Sequence, residues 1–313
     1  MRAFVFPGQG AQAIGMGRDL ADAYPAARAV FDAVDAALGE DLSGLIWEGD
    51  AETLTLTRNA QPALMATSVA ALRALEAEGV SVARDAAFVA GHSLGEYSAL
   101  VAAGALGLED AARLLRLRGE AMQAAVPAGE GAMAAILGLD VEAVRAVARD
   151  AAAGEVCEAA NDNDPAQVVV SGARAAVERA AALARERGAK RAVMLPVSAP
   201  FHCALMRPAA RAMAEALDDV DLREPAVPVV ANVTASPERD VEWIRSLLVK
   251  QVTAPVRWRE SVARMAEAGV TEIWEVGAGR ALSGMVRRIA SGIETRAVGT
   301  PDEVRAAAGS LKG

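Results

Sequence analysis

Short apolar runs alternate along this chain with longer Ala/Leu/Arg-rich stretches of helical period, the order expected of an α/β protein. Arg2–Phe6 predicts a buried first strand that stops at Pro7-Gly8, and Ala86–Ala90 predicts another that ends at Gly91. Val227–Ala231 and Glu272–Val276 read as two more strands, and helices are expected over Gln61–Glu78 and Gly107–Val126. One internal stretch has a different order. Gly131–Leu139 is strand-like and Val141–Ala151 helical; Val156–Ala160 and Gln167–Ser171 are strand-like around an Asn/Asp/Pro turn; Ala173–Arg187 is helical and Arg191–Leu195 strand-like. That order, β-α-β-β-α-β, predicts a split βαβ or ferredoxin-like unit of about 70 residues inserted into a larger α/β domain. Pro127, Gly129 and Pro196 punctuate its ends, so residues 128–198 are expected to form the inserted subdomain, with 1–127 and 199–313 forming one discontinuous larger domain.

Composition narrows the class. With 53% hydrophobic and 23% charged residues over 313 positions, a disordered or low-complexity chain is excluded and a sizeable core needs no staples. The longest stretches without Asp, Glu, Lys or Arg, Ala3–Gly17 and Ala192–Met206, are 15 residues each and broken by Pro. A membrane span needs ~20 apolar residues, so none is expected. The N-terminus reads as a strand and not as a signal peptide, so a cytoplasmic protein is expected. The net charge of −9, from 32 basic and 41 acidic residues, argues against nucleic acid as a partner. Only three of the basic residues are Lys, so an anion would be held by Arg. Cys157 and Cys203 are too few for a disulfide scaffold and lack metal-ligand spacing, so no metal is expected. His92 and His202, the two histidines, are a short list for acid–base work near neutral pH.

Gly91-His92-Ser93-Leu94-Gly95 matches G-x-S-x-G, with a predicted strand before it and a helical run, Glu96–Ala105, after it. A nucleophile elbow needs small residues on both sides so that a sharp turn can project the serine Oγ into a cleft. The same turn puts the next N–H, that of Leu94, at a helix N-terminus where an oxyanion can be stabilised. The alternative is a structural turn with an incidental Ser. A serine hydroxyl needs a base. His92 adjoins Ser93, and its side chain is expected to point away from the nucleophile's pocket; His202, in the Pro-punctuated loop Pro196–His202, is the base by elimination, unless it is a buried, satisfied polar group.

On a helical projection of Gly107–Ala125, Glu109, Arg113, Arg116 and Glu120 gather on one polar face. Arg118 falls instead within the apolar arc of Ala111, Leu114 and Met122. An inward charge costs several kcal/mol unless paired. Its partner is either an internal carboxylate or a carboxylate on a ligand, which a guanidinium grips with two parallel hydrogen bonds; the pattern leaves both open. Pro7-Gly8-Gln9-Gly10 and Gly277-Ala278-Gly279 complete neither G-x-G-x-x-G nor a P-loop, so nucleotide binding is weakly supported. Gln9 could donate hydrogen bonds into a shared site or be an exposed turn residue.

Taken together and in order, several segments carry a resemblance along nearly the whole chain. They are Phe4–Gly10, Gln61-Pro62-Ala63, Gly91–Tyr97, Arg116–Gly119, Ala160-Asn161, Pro196–His202, Asn232-Val233, and Gln251 with Pro255–Trp258. The sequence resembles the malonyl-CoA:acyl carrier protein transacylases of fatty acid synthesis. The resemblance implies an α/β-hydrolase-like catalytic domain with a mainly parallel sheet and an inserted ferredoxin-like subdomain. It implies Ser93 as nucleophile, His202 as base, and the N–H groups of Leu94 and Gln9 as oxyanion hole. It also implies that Arg118 binds the malonyl carboxylate and that Gln251 orients His202 through a carbonyl. Phe201 resembles the malonyl-selecting pattern, although many bacterial relatives have Ser there and methylmalonyl-selecting relatives a smaller residue. The implied partners are malonyl-CoA as the thioester substrate and phosphopantetheinylated acyl carrier protein, with no bound cofactor.

Three other functions compete with fatty acid synthesis. The same motifs serve trans-acting acyltransferases of polyketide synthases. A serine esterase or thioesterase shares the elbow but predicts an acidic third member and no inward Arg. A non-catalytic binding module predicts no adduct at Ser93. An acidic carrier would need a local basic patch, for which Lys190-Arg191 and Arg287-Arg288 are candidates, each equally readable as solvated surface charge.

Overall fold

The computed structural model describes residues 1–311. Among the described residues ten strands fall into two sheets. In chain order they are β1 (Arg2–Phe6), β2 (Phe88–Gly91), β3 (Gly131–Leu137), β4 (Cys157–Asp164), β5 (Gln167–Ala173), β6 (Arg191–Met194), β7 (Val229–Val230), β8 (Pro237–Glu238), β9 (Glu272–Val276) and β10 (Glu294–Val298). The larger sheet has the order β10-β9-β1-β2-β7-β8, parallel except for the short antiparallel edge β8. Helices cover it, and its central strand β1 is buried from Ala3 to Phe6 because a doubly covered parallel strand has no solvent face. Phe4 lies opposite Trp274 of β9 and stacks on it with ring centroids 5.1 Å apart, a contact contributing about 0.5–1.5 kcal/mol beyond its area.

The smaller sheet is wholly antiparallel with the order β4-β5-β3-β6, and its helices Val141–Ala152 and Arg174–Glu186 pack together over one face. This is the ferredoxin-like arrangement expected, joined to a mainly parallel α/β sheet. The small unit has its own apolar core, built from alternate residues such as Ala134, Ile136, Val168 and Val170 under Val144, Val147, Val177 and Ala180. The intervening positions Met133, Ala135 and Val169 face the larger core instead. The two sheets are also stitched together directly. Asp162 N–H donates to Val256 O and Val256 N–H to Ala160 O, both at 2.9 Å, and Asp162 and Asp164 accept guanidinium hydrogen bonds from Arg259 and Arg288. Arg288, one of the candidate docking cations, is therefore already paired.

Several expected elements shift. The second strand starts two residues late, and Val227–Ala231 contracts to the two residues of β7. The helix expected from Gln61 begins at Thr57 and carries Pro62 inside it. Proline has no N–H to give the carbonyl four residues earlier, and that carbonyl, Arg58 O, accepts from Arg116 Nη1 at 2.9 Å. Arg116 is consequently not on an open polar face: it is 7% exposed, bonded also to Asn59 Oδ1 and Glu40 Oε2. At Gly119 the helices Thr57–Ala77 and Leu108–Ala124 touch so closely that a Cβ would lie 2.5 Å from Arg58 Cα, and this contact brings Arg118 against Gln61.

Candidate active site

Ser93 sits on the turn from β2 into the helix Gly95–Ala102, at φ 53°, a conformation a non-glycine residue adopts only where its surroundings impose it. Both flanking glycines are required sterically. A Cβ on Gly91 would lie 1.9 Å from the Gly95 carbonyl, and one on Gly95 would lie 2.3 Å from Phe6 O at the end of β1. The loop after β1 and the turn after β2 thus abut at the carboxyl ends of neighbouring parallel strands, where open α/β sheets form their crevices.

That crevice is a cleft of about 560 Å³ between the two sheets. The larger unit contributes Gln9, Ser93, Leu94, Arg118, Phe201 and His202; the smaller contributes Met133, Asn161, Asn163 and Val169. Ser93 Oγ is 2.8 Å from His202 Nε2, and His202 Nδ1 is 2.8 Å from the backbone carbonyl of Gln251. A carbonyl only accepts, so Nδ1 carries the hydrogen and Nε2 offers its lone pair to the serine hydroxyl. Burial, then the nearby Arg118 charge, pushes the His202 pKa down to about 3, so the ring is neutral at neutral pH and its Nε2 lone pair is free. Its φ of 58° is the second forced backbone conformation at the site.

Arg118 is 1% exposed. Its Nη1 donates to Gln61 Oε1 at 2.7 Å, and its Nη2 to Gln251 Oε1 at 2.9 Å and Ser93 Oγ at 3.2 Å. Nε has no partner, and no carboxylate lies within ion-pair distance among the described residues. Of the two partners that the sequence left open, an internal carboxylate is therefore not the direct one. The cation meets only neutral oxygens, beside the Ser93 hydroxyl, with donors still unmet.

The N–H groups of Leu94 and Gln9 meet no acceptor among the described residues, and both residues line the cleft. Gln9 is held by a relay: Gln61 Nε2 donates to Thr57 Oγ1 at 2.9 Å, and Thr57 Oγ1 donates to Gln9 Oε1 at 3.0 Å. Gln251 is fully buried behind the cleft and acts on it through its backbone carbonyl and side-chain amide. Phe201 is 9% exposed in the cleft wall. His92 makes no bond to Ser93; its Nε2 meets Asn163 Oδ1 at 2.9 Å, so it ties the elbow to the small sheet and forms part of the cleft wall. The expectation that it turns away from the pocket is corrected to that extent.

Three residues of the site had no role in the sequence. Asn232, just after β7, accepts the Ser93 N–H on Oδ1 at 2.8 Å and donates from Nδ2 to Gly91 O at 2.7 Å. Gln61 braces Arg118. Glu96 lies buried behind both. The one charged residue of the run Gly95–Leu108, Glu96 itself, was the available signal. Among the described residues, no group of three or more His, Cys, Asp or Glu is placed to hold a metal, and no helix is long and apolar enough to cross a membrane.

Residues 3–292 match the family described as "Acyl transferase domain". A Bacillus subtilis protein named malonyl CoA-acyl carrier protein transacylase is 49% identical over 311 residues, 99% of this chain and 97% of that one. The crystal structure of an acyl-carrier-protein S-malonyltransferase from Bartonella henselae superimposes with a TM-score of 0.97 at 54% identity, covering 100% of this chain and 99% of the other. A malonyl-transacylase solved in complex with a type II polyketide synthase acyl-carrier protein superimposes with a TM-score of 0.96 at 44% identity, covering 99% of both chains.

Proposed function

The chain belongs to the acyl transferase domain family, and on that premise we propose that it transfers malonyl from malonyl-CoA to the phosphopantetheine thiol of acyl carrier protein. The observation that carries the proposal is the buried Arg118 guanidinium, without a carboxylate partner and 3.2 Å from the Ser93 hydroxyl. A thioester substrate whose acyl group ends in a carboxylate supplies the missing anion where the nucleophile is waiting.

The chemistry follows a ping-pong course. His202 Nε2 takes the Ser93 proton as Oγ bonds to the thioester carbonyl carbon. The N–H groups of Leu94 and Gln9 receive the tetrahedral oxyanion. As the carbon–sulfur bond breaks, the imidazolium returns its proton to the leaving CoA sulfur, and a malonyl-Ser93 ester remains with its carboxylate on Arg118. The carrier's thiol then gives its proton to His202 and attacks the ester, and Ser93 leaves reprotonated. Gln251 O holds the Nδ1 hydrogen throughout, so the imidazolium is stabilised by a dipole where many serine hydrolases use a full negative charge.

That difference bears on the esterase alternative, which calls for an acid on Nδ1 and makes no use of an inward Arg. Phe201 is assigned to acyl selection on the strength of its place in the cleft wall. Fatty acid synthesis is the proposed destination, in the cytoplasm, with malonyl-CoA as substrate and no bound cofactor. Supplying malonyl-CoA and phosphopantetheinylated carrier together tests the proposal. Malonyl-carrier is the expected product, absent with Ser93→Ala; free malonate as the main product would make the enzyme an esterase.

A further inference from the structure

Among the described residues no acid faces His202 Nδ1, yet a buried carboxylate stands one residue further back. Glu96 is 2% exposed in the first turn of the helix Gly95–Ala102 and does not line the cleft. Its Oε2 accepts from Gln251 Nε2 at 2.8 Å and from the Asn232 N–H at 3.0 Å. Those two residues hold the reacting groups. Asn232 fixes the elbow through the Ser93 N–H, and Gln251 offers its carbonyl to His202 and its Oε1 to Arg118.

The orientation of the Gln251 amide follows from its neighbours. Nε2 faces acceptors, Glu96 Oε2 and, at 3.1 Å, Ser93 O, whereas Oε1 faces the Arg118 donor. Turned over, the amide would set donor against guanidinium and acceptor against carboxylate in a fully buried site. Resting on the malonyl-transfer reading above, we propose that Glu96 is a positioning residue that fixes the Gln251 amide, and through it the Arg118 guanidinium, for the substrate's carboxylate, and that its negative charge opposes that carboxylate when ionised.

The charged and titratable groups whose fields act on Glu96 are Arg118 on the helix Leu108–Ala124, Glu238 on β8, and Tyr97 on its own helix. Burial pushes the Glu96 carboxyl up to about 7 against the Asn232 and Gln251 hydrogen bonds and the Arg118 charge. As pH rises through that value the proton leaves, and a second negative charge stands beside the Arg118–malonyl pair. An acetyl group has no carboxylate to feel it. The preference for malonyl over acetyl is therefore largest on the acid side and declines as Glu96 ionises.

The test measures initial rates of acyl-enzyme formation by mass spectrometry with malonyl-CoA and acetyl-CoA, from about pH 6 to about pH 8.5, across the ordinary titration range of a raised carboxyl. Wild type shows a malonyl-over-acetyl ratio that falls with pH. Glu96→Gln keeps the shape and an accepting oxygen but cannot ionise, so its ratio is flat. Glu96→Ala frees the amide and slows malonyl loading about tenfold or more, with acetyl loading slowed less. A ratio in Glu96→Gln that still falls with pH overturns the proposal, as does equal slowing of both acyl groups in Glu96→Ala, the result expected if Glu96 only holds the fold. If the alanine variant does not fold, the glutamine variant decides alone. A wild type that forms no malonyl adduct at any pH overturns the transfer reading itself, an outcome distinct from these.

Discussion

The two walls of the cleft are built on different principles. The wall from the parallel sheet is dense with hydrogen bonds: Ser93, His202, Arg118, Gln251, Asn232 and Glu96 form one connected network, nearly all of it buried. The wall from the antiparallel sheet presents mostly apolar side chains and two asparagines, and its charges lie outside the cleft, where Asp162 and Asp164 meet Arg259 and Arg288. One wall holds a hydrogen-bonded polar network in place; the other is a cover attached by ion pairs, two backbone bonds, the His92–Asn163 bond and the packing of Met133, Ala135 and Val169 against the larger core. Changes in the first should impair chemistry more than the fold. Changes in the second should loosen the cover and leave the chemistry largely intact.

The sharpest break of the comparison is Ser93→Ala, which removes the proposed nucleophile: loading is expected to fall by about a millionfold, with the thermal midpoint little changed. A calorimetric trace that collapsed alongside activity would mean the elbow supports the fold. The pH profile is the next discriminator. On the proposed mechanism His202 is the neutral base, and its lowered pKa delays protonation as pH falls, so loading is expected to persist below the ordinary histidine value of 6.5 and to be lost only toward about 3. A stopped-flow profile with its acid limb at 6.5 would contradict the buried, dipole-held imidazole.

On the cover, Asp162→Asn removes a carboxylate that is 3% exposed from a guanidinium that can still turn toward water, Arg259 being one-third exposed. The expected cost is about 1–2 kcal/mol, a drop of a few degrees by differential scanning fluorimetry, with loading kept within about threefold of wild type. Smaller still is Asp140→Ala, which removes the side chain that caps the helix Val141–Ala152 through the Ala143 N–H at 2.8 Å. About 1 kcal/mol should be lost, with no change in loading.

The same contrast governs what could be read from the chain. The small unit was legible almost element by element, because its short strands and its helices with one apolar stripe follow one another between clear Gly, Asn and Pro turns, although its central strands β3 and β5 are buried on both faces. The larger sheet was less so. Buried parallel strands carry no alternation, β7 is two residues long, and β10, with Arg296 and Glu294, offers no apolar run. Within the site, the elbow and the odd placement of Arg118 were visible from local spacing. The carbonyl of Gln251 and the oxyanion role proposed for Gln9 came only with the family resemblance, since a backbone group has no residue-type signature. The polar face assigned to Arg116 failed because a proline 54 residues earlier frees a carbonyl to bind it, and no helical projection contains that contact.

The central claim is that Ser93 carries an acyl group whose carboxylate is held by Arg118. Intact-protein mass spectrometry of wild type and Arg118→Ala, each mixed in parallel with malonyl-CoA and acetyl-CoA, tests it most directly. The account predicts a malonyl-sized gain on wild type and a malonyl loading rate about a hundredfold lower in the variant, with acetyl loading much less affected. Equal malonyl loading by both proteins, or no adduct on either, would contradict it.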